Sequence, residues 1–126
     1  MSAKRTVMIC EDEPDLLDLY TRALRSKFNI LPVSSGCECL ERYREERAKG
    51  KFVDLVLVDY KLGDISGDKV ACRIKDLNGT KVVMISAYEP EPNIIDRLKV
   101  ENCIIEWIKK PMPLSVMILK LEELIV

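Results

Sequence analysis

The stretch LVLVDYKLGDISG, residues 55–67, decides the fold that the sequence predicts. Its first four residues are apolar, and Asp59 follows them directly. A continuous apolar run is typical of a central strand in a parallel sheet, because such a strand is covered on both faces. A carboxylate beside a buried strand is costly to keep unless it has a partner. Asp59 is therefore the first candidate functional residue.

Apolar strands and amphipathic helices alternate along the rest of the chain. We predict strands over residues 5–10, 29–33, 53–58, 81–86 and 103–109. A helix follows each strand, and we expect the third to run from Gly67 to Leu77 and to end at Asn78 and Gly79. Pro32 indicates an edge position for the second strand, because proline cannot donate to a ladder. The alternation favours an α/β fold with a parallel sheet between two layers of helices.

Length and charge limit the function classes. At 126 residues the chain is expected to form a single domain over residues 1–126, with no output domain in this chain. Its net charge of −1 gives no basic surface for direct nucleic acid binding. No apolar segment approaches the roughly 20 residues of a membrane span, and no secretory signal opens the chain. We predict a cytoplasmic protein without membrane contact.

The five cysteines are scattered, and no spacing among them matches a zinc site. The chain has no histidine, which excludes Ser-His-Asp and Cys-His catalysis. We interpret the cysteines as reduced, buried or half-buried small hydrophobic residues. They are Cys10, Cys37, Cys39, Cys72 and Cys103.

Polar side chains collect where four predicted strands end, at the edge of the sheet where parallel strands bind ligands. Each alone is explained as a helix cap, a turn residue or a surface charge. Four predicted strand ends at one edge make a common function the better explanation. They are Glu11, Asp12 and Glu13 after strand one, Asp59 after strand three, Ser86 after strand four, and Lys109 and Lys110 after strand five.

Mg²⁺ and a phosphoryl group explain this set chemically. Crowded carboxylates repel one another unless a cation intervenes, and Mg²⁺ accepts one or two carboxylates plus water. A metal at this edge also attracts phosphoryl oxygens. Asp59 can then act as a nucleophile that forms an acyl phosphate. Lys110 can pair with phosphoryl oxygens, and Ser86 can donate a hydrogen bond to one of them.

Four motifs occur in one order: CEDEP (10–14), LVLVDYKLGDISG (55–67), VVMISAY (82–88) and WIKKP (107–111). Over essentially the whole chain they resemble the receiver domain of two-component response regulators, including chemotaxis-type stand-alone receivers. The resemblance implies a flavodoxin-like (βα)5 doubly wound parallel sheet with strand order 2-1-3-4-5. It also implies a signalling domain, which is not an enzyme beyond catalysing its own phosphorylation and dephosphorylation.

The resemblance implies roles for the residues of the metal and phosphoryl site. Glu11 and Asp12 match the acidic pair that holds Mg²⁺, with Asp12 as the direct ligand and Glu11 partly through water. Asp59 matches the phosphoacceptor and also a metal ligand. The backbone carbonyl of Lys61 matches the third protein ligand.

The resemblance also implies how the site is read. Ser86 matches the switch hydroxyl, Lys110 the invariant-type lysine and Trp107 the aromatic switch residue. Gly67 matches the glycine that opens the third helix. We expect a cis bond between Lys110 and Pro111, as family members commonly have.

Several positions depart from the family pattern. Glu11 stands where aspartate is usual, and Met112 where phenylalanine is frequent. Gly63 replaces a frequent proline, which should loosen the loop after Asp59. Trp107 is larger than the usual tyrosine or phenylalanine, so we expect its ring to swing inward less easily.

The implied partners are a histidine kinase or a histidine phosphotransfer protein as donor and a downstream protein target. Phosphorylation of Asp59 is expected to switch the surface formed by helix four, strand five and helix five. Val116 and Leu119 fall off the core face of the last helix, and isolated surface apolar residues are normal. The resemblance implies, however, that this surface commonly binds a partner or a second copy, so we predict such a contact, with a partner or as a homodimer, involving both residues. Lys61 and Tyr88 should flank the route of an attacking water and slow hydrolysis.

Other readings of the residues remain open. A haloacid dehalogenase-type enzyme carries its nucleophile on its first strand with a second aspartate two residues later, where this chain has Lys61. A toprim-like domain needs a D-x-D pair, and a flavin binder needs a phosphate-binding first loop. The main alternative is a receiver-like interaction module that no longer cycles phosphate. The chain is either a stand-alone receiver or a part of a longer regulator.

Overall fold

The structure, a computed structural model, describes residues 4–77 and 79–126. Strands and helices alternate throughout, as the apolar pattern predicts. The elements are β1 (Thr6–Cys10), α1 (Pro14–Leu24), β2 (Asn29–Val33), α2 (Gly36–Ala48), β3 (Leu55–Asp59), α3 (Gly67–Leu77), β4 (Lys81–Ser86), α4 (Pro92–Val100), β5 (Glu106–Lys109) and α5 (Leu114–Ile125). The predicted stop of the third helix at Asn78 lies outside the described residues.

The strands form one parallel sheet in the order β2-β1-β3-β4-β5. This order confirms the predicted flavodoxin-like α/β fold. β3 lies at the centre, and all five of its residues are buried. β2 is an edge strand, in agreement with the position of Pro32. The order brings β1 and β3 side by side, with Cys10 opposite Val58.

Alternate residues of β3 enter two separate apolar layers. Val56 and Val58 pack in the layer formed with α2, α3 and α4. Leu55 and Leu57 pack in the layer formed with α1 and α5. Burial of each such side chain stabilises the fold by about 1.5–3 kcal/mol before entropy is counted. The continuous apolar run before Asp59 is therefore explained by helices on both faces.

α5 packs through the face that its helical spacing predicts. Met117, Leu121 and Ile125 are buried, while Leu114, Ile118 and Leu124 are partly buried against the same layer. Val116 is 47% exposed and Leu119 is 64% exposed. Their position off the core face is confirmed.

β5 begins later than predicted because the chain first turns at the end of α4. Asn102 adopts a left-handed backbone conformation with φ 61°, and the Cys103 N–H donates to the Leu98 carbonyl at 2.9 Å. Ile105 then joins the sheet by donating to the Val82 carbonyl at 2.9 Å. Cys103 and Ile104 are buried in this turn rather than in a strand.

The cysteine interpretation is wrong at three positions. Cys72 on α3 and Cys103 after α4 form a disulfide, with their Cα atoms 4.6 Å apart. Sequence spacing could not show this, because packing of two elements brings the pair together across 31 residues. Cys37 is exposed rather than buried. Cys10 and Cys39 are free and buried, as predicted.

Across residues 4–77 and 79–126, none of the helices combines the length and apolar character that crossing a bilayer requires.

Candidate functional site

Three carboxylates meet at the carboxyl end of the sheet. Glu11, Asp12 and Asp59 each place an oxygen within 4.8 Å of the other two. Because β1 and β3 are neighbours in register, the residues that end them are brought to the same point. Glu11 is 2% exposed and Asp59 is 6% exposed, whereas Asp12 is open to solvent. The predicted acidic group is therefore assembled by the fold.

Lys110, which directly follows β5, forms ion pairs with two of these carboxylates. Its Nζ lies 2.9 Å from Glu11 Oε1 and 2.6 Å from Asp59 Oδ2. Its backbone N–H donates to the Ser86 carbonyl at 2.9 Å, which fixes the start of the lysine side chain. The bond from Lys110 to Pro111 is cis, as expected. The ammonium group is thus positioned at Asp59.

Burial and charge act in opposite directions on the protonation of this group. The pKa of Glu11 is raised to about 7, first because the carboxyl group is buried and then because it lies beside Asp59, while the hydrogen bond from Lys110 opposes the change. Burial lowers the pKa of Lys110, but its hydrogen bonds to Asp59 and Glu11 outweigh burial, and its pKa is raised. Lys110 therefore stays a cation throughout the neutral pH range.

The donor set fits a hard divalent cation such as Mg²⁺. All three side chains offer carboxylate oxygens, which are the ligands that Mg²⁺ prefers. Burial, and then the nearby Asp59 carboxylate, raise the pKa of Glu11, and a bound cation would stabilise the charged form of both groups. The Lys61 N–H donates to Asp59 Oδ1 at 3.0 Å, so the backbone of Lys61 also lies at the site. Ligation by its carbonyl stays a prediction.

The predicted switch residues lie on the next two strands. Ser86 is buried at the end of β4, and its Oγ accepts a hydrogen bond from the Tyr88 N–H at 2.9 Å. Trp107 on β5 is half-buried. The ring of Tyr60 contacts both Tyr88, on which it is stacked with the ring centroids 5.7 Å apart, and Trp107, against which it is tilted with the centroids 5.1 Å apart. Sequence analysis missed Tyr60, although its place directly after Asp59 was a signal.

Lys61 and Tyr88 contact each other on the outer side of this stack. Lys61 Nζ lies 4.6 Å from the centroid of the Tyr88 ring, a distance suited to a cation–π interaction. Lys61 lies in the loop between β3 and α3, and Tyr88 lies in the loop between β4 and α4, so this contact connects the two loops. Their influence on hydrolysis stays a prediction.

Asp64 is a second residue that the sequence analysis missed. Its carboxylate accepts hydrogen bonds from the Gly36 and Cys37 N–H groups, at 2.9 and 2.8 Å, at the start of α2. The bond from Cys37 is the main reason that the pKa of Asp64 is well below its usual range. The residue after Gly63 is thus anchored to a helix N-terminus.

Gly67 is required by close contact between α3 and the end of β3. Its N–H donates to the Tyr60 carbonyl at 2.8 Å. A Cβ atom at this position would collide with the Asp59 carbonyl oxygen and lie 2.8 Å from the Tyr60 Cα. Only glycine lets α3 begin this close to Asp59.

A family model described as the response regulator receiver domain matches residues 7–122. The chain belongs to the response regulator receiver family. A solved receiver domain protein (CheY-like) from Methanospirillum hungatei has a TM-score of 0.84 at 21% identity, and the match covers 98% of this chain and 94% of that one. At this identity the structural match supports the fold alone.

Two curated relatives are longer proteins. The probable transcriptional regulatory protein TcrX of Mycobacterium tuberculosis is 27% identical over 95% of this receiver and 49% of its own length. The hydrogenase transcriptional regulatory protein HoxA of Bradyrhizobium diazoefficiens is 30% identical over 88% of this receiver and 22% of its own length. The chain thus spans about half or less of these relatives.

Proposed function

We propose that residues 1–126 act as one receiver domain that accepts a phosphoryl group on Asp59 in a Mg²⁺-dependent reaction. The donor is a histidine kinase or a histidine phosphotransfer protein. The observation that supports this most directly is the meeting of Asp59 with two further carboxylates and the Lys110 ammonium group at one edge of the sheet.

In the proposed step, a carboxylate oxygen of Asp59 forms a bond to phosphorus as the phosphorus–nitrogen bond of the donor breaks. The donor imidazole nitrogen keeps the electron pair of that bond. Lys110, 2.6 Å from Asp59 Oδ2, pairs with the oxygens of the incoming group. Mg²⁺ held by Glu11, Asp12, Asp59 and the Lys61 carbonyl would neutralise phosphoryl charge and orient its oxygens.

Phosphorylation then changes the neighbouring loop. The new group carries about two negative charges and several strong acceptors. Ser86 turns its hydroxyl to donate to one of these oxygens, which disturbs its present bond with the Tyr88 N–H. Tyr88 moves with the loop, and Trp107 shifts into the space that opens. This is a change of population between two packings of one fold.

The output surface is formed by α4, β5 and α5. Glu106 on β5 forms ion pairs with Lys99 on α4, at 3.3 Å, and with Lys120 on α5, at 3.5 Å. Val116 and Leu119 add exposed apolar area beside it. We propose that this surface binds a downstream protein or a second copy after phosphorylation. In sedimentation experiments, we expect the substitution Leu119→Lys to weaken this association. A phosphorylated protein that stays monomeric and captures no target would contradict the proposed output surface.

Mass spectrometry after incubation with Mg²⁺ and acetyl phosphate tests the phosphoacceptor. We expect a gain of one phosphoryl group, which is lost when EDTA removes the metal. Asp59→Asn should show no gain, whereas Asp76→Asn, an exposed carboxylate on α3, should behave as the wild type. Fluorescence of the sole tryptophan, Trp107, should respond to beryllofluoride. Absence of any gain would instead favour a receiver-like interaction module that no longer cycles phosphate.

A further inference from the structure

The disulfide joins two elements that border the proposed output surface. Cys72 lies on α3, and Cys103 lies in the turn between α4 and β5. Their Cα atoms are 4.6 Å apart, within the range that allows a disulfide to form without backbone movement. The remaining cysteines are free thiols in the described structure. The pairing is therefore selective.

We propose that Cys72 and Cys103 form a reversible thiol–disulfide modification site. Its co-substrates are a low-molecular-weight disulfide of the glutathione type for oxidation and a soluble thiol for reduction. This chemistry is independent of Asp59 and its phosphorylation.

Access decides which sulfur reacts first. Cys103 is 4% exposed, whereas Cys72 is half-buried and lines an open groove of about 220 Å³ between α3 and α4. Two cations and two carboxylates share this groove, so it suits a small zwitterionic reagent. Its lining residues are Asp68, Lys69, Cys72, Arg97, Leu98 and Glu101. Cys72 is the sulfur that a soluble reagent reaches.

Oxidation balances as two exchange steps. The Cys72 thiolate attacks one sulfur of the soluble disulfide, and one soluble thiolate leaves. The Cys103 thiolate then attacks the Cys72 sulfur, forms the protein disulfide and releases the second soluble thiolate. The protein thus loses two protons and two electrons, and the soluble disulfide becomes two thiols. Reduction runs through the same steps in reverse, with attack by a soluble thiolate.

The bond restrains the corner through which α4 leads into β5. Cys103 precedes Trp107 by four residues, and β5 starts at Glu106. Tying this turn to α3 limits displacement of α4 and of the start of β5 relative to α3. This regulatory part rests on the proposed function: the oxidised form should respond less to phosphorylation than the reduced form.

Intact-protein mass spectrometry in glutathione buffers of increasing oxidation tests the chemistry. We expect loss of two hydrogens in the oxidised buffers, full recovery in the reduced ones, and a melting temperature higher by on the order of 10 °C when oxidised. Cys72→Ser and Cys103→Ser should abolish both changes, while Cys37→Ser, an exposed free thiol, should keep them. Alkylation of the native wild type and peptide mapping give the same answer if a variant fails to fold. A pair that stays reduced, or that stays oxidised under reducing buffer, would overturn the proposal.

The regulatory part has its own readout. Trp107 fluorescence is followed during beryllofluoride addition to the reduced and the oxidised protein, and we expect a response at least twofold smaller in the oxidised form. Equal responses would overturn the coupling. If neither form responds, the proposed function fails, while the mass measurement still decides the thiol site.

Discussion

Two loops border the candidate site, and they are held in different ways. The loop between β3 and α3, residues 60–66, is bonded at both ends and near its middle. Tyr60 donates to the Ile85 carbonyl at 3.0 Å and accepts from the Gly67 N–H at 2.8 Å. Asp64 is bonded to the start of α2. These hydrogen bonds hold the loop in one position beside Asp59.

The loop between β4 and α4, residues 87–91, lies largely in solvent. Its polar contacts with the site and with β5 are the bond from the Tyr88 N–H to Ser86 Oγ and the pair of Glu89 with Lys109 at 3.0 Å. Both partners of that ion pair are well exposed, so it contributes little stability. The difference shows that the first loop is held against the site by more polar contacts than the second, and we predict that the second loop is the one that moves when Asp59 is phosphorylated.

The largest effect should follow from Gly67→Ala, which breaks the fixed loop at its end. The added Cβ meets the Asp59 and Tyr60 backbone, so we expect a fall of about 3 kcal/mol in the free energy of unfolding measured with urea. Gly63→Ala is the matched control, since its Cβ would make an ordinary contact at 3.6 Å from Asp12 Oδ2. Equal losses in the two variants would contradict the close-contact argument.

Asp64→Ala should have the next largest effect, because it removes two hydrogen bonds to the N-terminus of α2. We expect a loss of about 1 kcal/mol in unfolding free energy. Asp64→Asn keeps an acceptor oxygen and should lose less, although it removes the charge. If alanine and asparagine behave alike and as the wild type, the loop does not depend on this anchor.

The contact between the two loops should have a smaller effect, on rate rather than stability. Replacing Lys61 or Tyr88 by alanine opens the outer side of the stack, and we expect phosphate release from phosphorylated Asp59 about threefold faster, or roughly 0.6 kcal/mol in the barrier. Release is timed with radiolabelled protein. Lys75→Ala, at an exposed position on α3, is the control. An unchanged or slower rate would count against lifetime tuning.

The smallest effect is expected for Glu89→Ala in the solvent-exposed loop. Its ion pair with Lys109 is exposed, so the free energy of unfolding should stay within about 0.5 kcal/mol of the wild type. Urea titration at low and high salt provides the measurement. A loss as large as that of Asp64→Ala would remove the distinction between the loops.

Local patterns predicted much of this molecule, and contacts distant in sequence account for what they missed. The apolar run before Asp59 and the alternation of strands and helices were sufficient to predict a parallel sheet. The polar residues at the strand ends were sufficient to predict that Glu11 lies close to Asp59. Asp64 finds its partners 27 and 28 residues earlier, and Cys72 finds Cys103 31 residues later. No periodicity encodes such pairs, because they depend on how helices pack.

The bond from Lys110 to Glu11 spans 99 positions of the chain. A polypeptide emerging from the ribosome therefore contains Glu11 and Asp59 long before it contains Lys110, whose ammonium group pairs with both carboxylates. Until the segment containing Lys110 leaves the ribosome and β5 docks against β4, the proposed acceptor site is incomplete, and we expect the nascent chain not to react with phosphodonors. Within the receiver domain, the proposed acceptor site is thus completed only when the last strand of the sheet is in place.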